Sequence, residues 1–515
     1  YQKALKNFFL SSGDYHVNIA FYSTEQAFFP LSIKRVDDQY FVTEVVAITP
    51  NRIRQLFKFD PIDLNLFEKN IHQLQRGDEV IAFNGIDMKQ VMQQIIEEDL
   101  QGDFSDTGYC LAEKTLFFRR GRLGIEVPKG NFQLTIRSKK RKKIVTLELP
   151  WFHVAEWVNQ PPLLDLTACV SSLQKPSQNS LPNHLESYFA KEFVSEEIKE
   201  LVAPQFFGNR KEKAIEKTAN LDQRMQGFLP PLGPIIWQTA KDKKIYAYLY
   251  QGLDKQKIGY IHLPSFSFEG EYGSLMEELM TVISRFEQEA KALVFDTTNN
   301  TGGNLLFMYA ALSLLTDRPL ALPTHREMIL QEDVLLSSVA YQELVHLREK
   351  DKKGTISGYP FDTTLVEQLK AYSLEVIRNW EDGKRMTDPL YLMGIEQIMP
   401  CSIHFSKPLM ILVNELNLSC GDFFPAILQD NGRAKIFGNR TGGAGGHVKR
   451  YSYLSRLGVE SLSITASIAT RTTGLPIENL GVTPDIFYLP SKKDVCGHYE
   501  EYIDVVNQEI KKLLM

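Results

Sequence analysis

Leu409-Met410-Ile411-Leu412-Val413-Asn414-Glu415-Leu416-Asn417-Leu418-Ser419-Cys420-Gly421-Asp422-Phe423-Phe424-Pro425-Ala426-Ile427-Leu428-Gln429 is the stretch that decides the fold class. Five uninterrupted apolar residues, Leu409–Val413, read as a strand buried on both faces. A short turn carries Ser419, Asp422–Gln429 reads as a helix, and a further strand is predicted at Ala434–Phe437. The same order occurs upstream. Strand Ala292–Phe295 runs into Asp296-Thr297-Thr298-Asn299-Asn300-Thr301-Gly302-Gly303 and then an apolar helix to about Leu315. Before it, strand Ile258–Leu263 precedes a helix opened by Ser274-Leu275-Met276-Glu277, a capping-box pattern. Its apolar face is Leu275, Leu279, Val282, Ile283 and Phe286, at helical spacing. Strand–helix alternation from about residue 230 predicts an α/β core with helices packed on a sheet. A mostly helical insertion interrupts it at about 326–384.

Toward the N-terminus the text changes to β-rich. Residues 1–27 read as a helix, a turn at Ser11-Ser12-Gly13-Asp14-Tyr15-His16, and a strand Val17–Tyr22. Over 28–153, strands Leu31–Lys34 and Tyr40–Val46 precede Leu74-Gln75-Arg76-Gly77-Asp78-Glu79-Val80-Ile81-Ala82-Phe83-Asn84-Gly85-Ile86-Asp87. A Gly-Asp turn, an alternating strand, an Asn-Gly turn and a helix (Lys89–Glu98) make this the signature of a PDZ-like domain. The cluster Lys139–Lys143 lies between two alternating strands and reads as a solvated hairpin tip rather than a nucleic-acid patch. Residues 154–229 mix Pro, Ser, Asn and charge with little periodicity, as in an exposed linker open to proteolysis.

Composition narrows the function classes. The chain has 515 residues, 43% hydrophobic and 23% charged, with a net charge of −5. That balance points to no nucleic-acid or membrane-surface partner, and no apolar run approaches the roughly 18 residues of a membrane span. Five scattered cysteines without CxxC spacing speak against a disulfide scaffold and a metal site. The sequence starts at Tyr1 rather than Met, so a signal peptide cannot be read from it.

Chemistry concentrates at the two strand-to-helix junctions. Glycines at 302 and 303 let the backbone turn tightly, and helix N-termini present N–H groups suited to an oxyanion. Ser419 before a helix is ordinarily an N-cap, but the same place exposes a nucleophile beside the Cys420 amide. A serine needs a base, and the base needs an acid to orient it. His16 and His447 are the candidate bases among ten histidines, and Glu478 in Ile477-Glu478-Asn479 is the candidate acid. Spacing alone does not choose between the histidines.

Three phrases carry a resemblance. Asp296–Gly303, Asn414–Asp422 and Gly481-Val482-Thr483-Pro484-Asp485-Ile486 resemble, in order, the Gly-Gly turn, nucleophile segment and closing motif of tail-specific (C-terminal processing) serine peptidases. The resemblance implies a crotonase/ClpP-like α/β core with a PDZ-like domain. Most of that family uses a Ser–Lys dyad, whereas Ala444 stands here where the lysine would be. Gly227–Pro230, Leu315–Leu320, Ser419–Pro425, Arg440–Gly446 and Ile477–Asn479 are similar to a subgroup with a Ser–His–Glu triad. Carried over by motif, Ser419 is the nucleophile, His16 the base and Glu478 the orienting carboxylate. Backbone amides of Gly302 or Gly303 and of Cys420 form the oxyanion hole, and His447 stays in reserve as a base. The resemblance implies an endopeptidase without metal or cofactor, acting on protein or peptide substrates. It also implies a secreted bacterial protease acting on host proteins, including in the host-cell cytosol, and activated by cleavage within about 170–230. Homodimerisation is left open. Two other classes stand beside it: an inactive ligand-binding member of the superfamily, and a PDZ-type adaptor for peptide tails.

Overall fold

The computed structural model describes residues 1–45, 64–100, 102–156, 230–268, 272–347, 354–452 and 457–515. From residue 157 to 229 the expected linker, with its cleavage region, therefore lies outside the described residues.

Seven strands form the central sheet, in the order Ile235–Gln238, Tyr246–Gln251, Lys257–His262, Ala292–Asp296, Leu409–Val413, Lys435–Gly438 and Ile486–Phe487. The first two joins are antiparallel and all later ones parallel. Ala292–Asp296 and Leu409–Val413 are buried along their whole length, which explains their unbroken apolar text. Their side chains alternate between two cores. Leu293, Phe295, Leu409, Ile411 and Val413 face the larger one, with Phe286, Leu312, Phe424 and Ile427 from the covering helices. Val294, Met410 and Leu412 face the other, closed by Tyr502, Val506 and Ile510 of helix Glu500–Leu513. Burial of each such aliphatic side chain contributes about 1.5–3 kcal/mol. The helical insertion is present as Gln331–Val345 and Thr363–Glu381.

One helix start differs from expectation. The helix of residues Tyr272–Glu289 is already under way at Tyr272, so Ser274 lies inside its first turn and is not its cap. Its hydroxyl instead accepts from Lys244 Nζ at 3.0 Å.

The PDZ-like domain has a sheet ordered Leu31–Val36, Gln39–Val45, Glu79–Phe83, Asn131–Arg137 and Ile144–Pro150, with Ile86–Asp87 paired to Glu79–Phe83. Helices Met88–Asp99 and Asp106–Phe117 pack on it. The Asp78 carboxylate secures the Gly-Asp turn, accepting from Gln75 N at 3.0 Å and Lys139 N at 2.7 Å. Lys139–Lys143 form an exposed hairpin tip.

Candidate active site

The strands ending at Asp296 and Val413 are parallel neighbours, so the loops after them leave the same edge of the sheet side by side. Side chains and backbone zip the loops together. Leu418 N donates to Asn300 O at 3.0 Å, Asn417 Nδ2 to Thr297 O at 2.8 Å, and Asn414 Nδ2 to Asn299 Oδ1 at 2.9 Å. Pro425 has no N–H for the Gly421 carbonyl, and Asn417 Nδ2 takes that oxygen at 3.3 Å.

Ser419 sits at the apex with φ 60° and ψ −121°. A non-glycine residue there costs on the order of 1–3 kcal/mol and persists because its surroundings over-determine it. Its N–H donates to Asp422 Oδ2 at 2.7 Å. Its Oγ, fully buried, has no hydrogen-bond partner among the described residues, so the hydroxyl does not act as a helix cap. Behind it, Gly303 (φ 142°) lies against Phe266, where a Cβ would come within 2.2 Å of the Phe266 carbonyl carbon. The Cys420 thiol points away to the Gly303 carbonyl at 3.3 Å. The Gly302 N–H is engaged by Asn300 Oδ1 at 2.9 Å.

His16 arrives from the far end of the chain. Strand Asn18–Phe21 pairs antiparallel with Val459–Thr465, placing Asn18 opposite Ser463. Asp14 anchors the turn before it. One oxygen accepts the His16 N–H at 2.8 Å and the other the Thr465 hydroxyl at 2.5 Å. His16 Nδ1 then lies 3.0 Å from the carbonyl of Gly445, 429 residues away along the chain. A carbonyl only accepts, so Nδ1 carries the hydrogen and Nε2 keeps its lone pair. Nε2 is buried and has no partner among the described residues. Burial lowers the pKa of His16 and favours the neutral ring, while Asp14 and the Gly445 carbonyl act in the opposite sense.

Glu478 meets the same glycine. A Cβ on Gly445 would lie 2.7 Å from Glu478 Oε1, a space only glycine leaves. Oε1 accepts from Ala469 N at 3.0 Å, and Oε2 has no partner among the described residues. Burial raises the pKa of this carboxyl. No hydrogen bond joins Glu478 to His16: both groups contact Gly445 instead. His447 is turned to other partners, with Nδ1 3.2 Å from Glu327 Oε1 and its N–H on Ser467 Oγ at 3.0 Å.

Sequence reasoning missed Asp422. Its carboxylate accepts three backbone N–H groups: Ser419 at 2.7 Å, Gly443 at 2.9 Å and Ala444 at 3.1 Å. It thereby ties the serine elbow to the glycine loop that holds His16. Burial pushes its pKa up to about 7, against the pull of its hydrogen bonds. The signal was present, since an acid three residues after a helix-opening serine is half of a capping box. Ala444, in the family's lysine position, is buried among the apolar residues of the PDZ-like domain.

Comparison with known proteins agrees with this architecture. Residues 257–488 match the model of peptidase family S41, and residues 25–158 that of the PDZ domain. A Chlamydia trachomatis protein is 30% identical over 541 residues, spanning 100% of this chain and 84% of its own. A Chlamydia pneumoniae protein is 30% identical over 537 residues, spanning 98% and 80%. The crystal structure of mature CPAF, the Chlamydia protease-like activity factor, superposes with a TM-score of 0.77 at 27% identity, covering 100% of this chain and 87% of that one. Among the described residues no helix is long and apolar enough to cross a membrane. The chain belongs to peptidase family S41, as a PDZ-containing peptidase similar to the Chlamydia protease-like activity factor.

Proposed function

We propose that the chain is a serine endopeptidase with Ser419 as nucleophile, His16 as general base and Glu478 as the carboxylate of the triad. The observation that carries this reading is a pair of buried atoms, Ser419 Oγ and His16 Nε2, with no partner among the described residues, and an imidazole whose Nδ1 is turned to a carbonyl so that Nε2 is left as the base. Ser419 Oγ attacks the peptide carbonyl while Nε2 takes its proton. The proton then passes to the leaving amine, and water, deprotonated by the same nitrogen, releases the acyl group. The Gly303 and Cys420 amides receive the oxyanion, because the Gly302 N–H is already engaged. Glu478 supports the imidazolium from across Gly445. The reading extends to a proenzyme cut within about 170–230 and to secretion by a bacterium toward host proteins. It is supported by the relatives in Chlamydia and by a related structure described as a mature form.

The test is turnover of an internally quenched peptide with both ends blocked. Wild type cleaves it internally, and Ser419→Ala reduces turnover to background. Cleavage retained by Ser419→Ala would overturn the proposal.

A further inference from the structure

A PDZ domain takes an extended peptide as an added strand at an open sheet edge. Among the described residues, strand Leu31–Val36 is such an edge: it pairs only with Gln39–Val45. Here the edge is covered from within the chain. Helix Asp106–Phe117 lies along it, with Glu113 Oε1 accepting the Arg35 N–H and Asp106 pairing with the Arg35 guanidinium at 2.9 Å. The loop before Ser419 fills the remaining space. Lys34 Nζ, on the edge strand, pairs with Glu415 Oε1 and lies 3.6 Å from Glu113 Oε2. Thr107 Oγ1, on the helix, donates to the Glu415 carbonyl at 2.9 Å. Asn439 Nδ2 bridges Glu415 Oε2 at 3.3 Å and Asp106 Oδ2 at 3.1 Å. Leu416 and Leu418, each 1% exposed, are buried in the domain's own apolar core.

We propose that the ligand of the PDZ-like domain is the chain's own segment Glu415–Leu418, and that Lys34 is a positioning residue that holds Ser419 in its elbow through Glu415. The domain is thus a brace for the catalytic loop rather than a reader of substrate tails. Burial opposes the charge on Glu415, and the Lys34 ammonium, joined by hydrogen bonds from the backbone and Asn439, keeps the carboxyl below its ordinary range. Removal of Lys34 strips the buried Glu113 and Glu415 carboxyl groups of the ammonium they share, and the loop must move to rehydrate them. The inference rests on Ser419 being the nucleophile.

The experiment compares the full-length chain as wild type, Lys34→Met, Glu415→Gln and the double variant. It reads fluorophosphonate labelling rate, kcat and KM on peptides with free and amidated C-termini, and the melting temperature. For Lys34→Met, labelling and kcat fall roughly 10- to 100-fold, with KM within about twofold because substrate does not bind at this edge. The double variant recovers part of that loss, since one of the two carboxylates left by Lys34 is gone. Free and amidated peptides give the same KM in wild type. If Lys34→Met does not fold, Glu415→Gln carries the same prediction. Labelling of Lys34→Met at the wild-type rate overturns the brace, as does a rise in KM at constant kcat or a preference for free C-termini. Wild type labelled at a residue other than Ser419 overturns the nucleophile reading, and this proposal with it.

Discussion

At the scale of residues, the site is built from buried polar groups, and burial acts on their protonation. His16 has a lowered pKa, so its proton is held less tightly in the folded than in the unfolded chain. Its contribution to stability is complete above the unfolded value of about 6.5 and declines as pH falls through it. Asp422 has the opposite sign: its pKa is raised to about 7, so its contribution is complete at low pH and is lost as pH rises from about 4 toward 7. In the proposed mechanism His16 acts as the neutral ring and Asp422 holds its three N–H groups as a carboxylate, so the group with the higher pKa governs. The predicted profile of kcat/KM therefore declines as pH drops through about 7, and Asp422→Asn lowers the plateau and moves the midpoint to lower pH. An unchanged midpoint in that variant would remove Asp422 from the machinery. Gly445 gives a steric test. Gly445→Ala places a methyl 2.7 Å from Glu478 Oε1, and the cost is about 1–3 kcal/mol of stability. Turnover falls further than melting shows, because the Gly445 carbonyl also orients His16.

At the scale of elements, the strands and helices around Ser419 were legible because each is buried on a regular period. Leu409–Val413 is continuous apolar text and is buried throughout. The N-terminus of helix Tyr272–Glu289 was misread because Ser274 and Glu277 imitate a cap, whereas the chain is already helical at Tyr272. The position of His16 had no local signal. It depends on strand Asn18–Phe21 finding Val459–Thr465, a pairing that no spacing announces. That strand is held by a small core of its own, in which Ile19, Phe21 and Val459 pack with Leu5 and Phe9. Phe21→Ala empties a fully buried site at a cost of about 3–5 kcal/mol. The expected result is loss of labelling at Ser419 at temperatures where the circular dichroism of the α/β core persists. Equal loss of both would mean that the segment is integral to the core rather than an arm that delivers the base.

At the scale of the whole molecule, the PDZ-like domain and the peptidase core share buried contacts at Leu416, Leu418 and Ala444 and a charged network at Lys34 and Glu415. The sequence shows both units but not this contact, because its parts are a lysine, a glutamate, two leucines and an alanine in unremarkable contexts. The consequence concerns activation. The activating cut proposed within about 170–230 would separate the fragment carrying His16 from the one carrying Ser419, so the proposed mechanism requires the two fragments to stay associated. Nicked protein is expected to elute as one species in size-exclusion chromatography with activity retained. Fragments that separate under native conditions while activity persists would contradict a base supplied by His16.

The most direct measurement is intact-mass and peptide-mapped labelling with a fluorophosphonate, run on wild type, Ser419→Ala and His16→Ala. One adduct on Ser419 in wild type, none in Ser419→Ala, and labelling slowed roughly 10²- to 10⁴-fold in His16→Ala is the predicted result. An adduct elsewhere, or labelling of His16→Ala at the wild-type rate, would contradict the assignment of nucleophile and base.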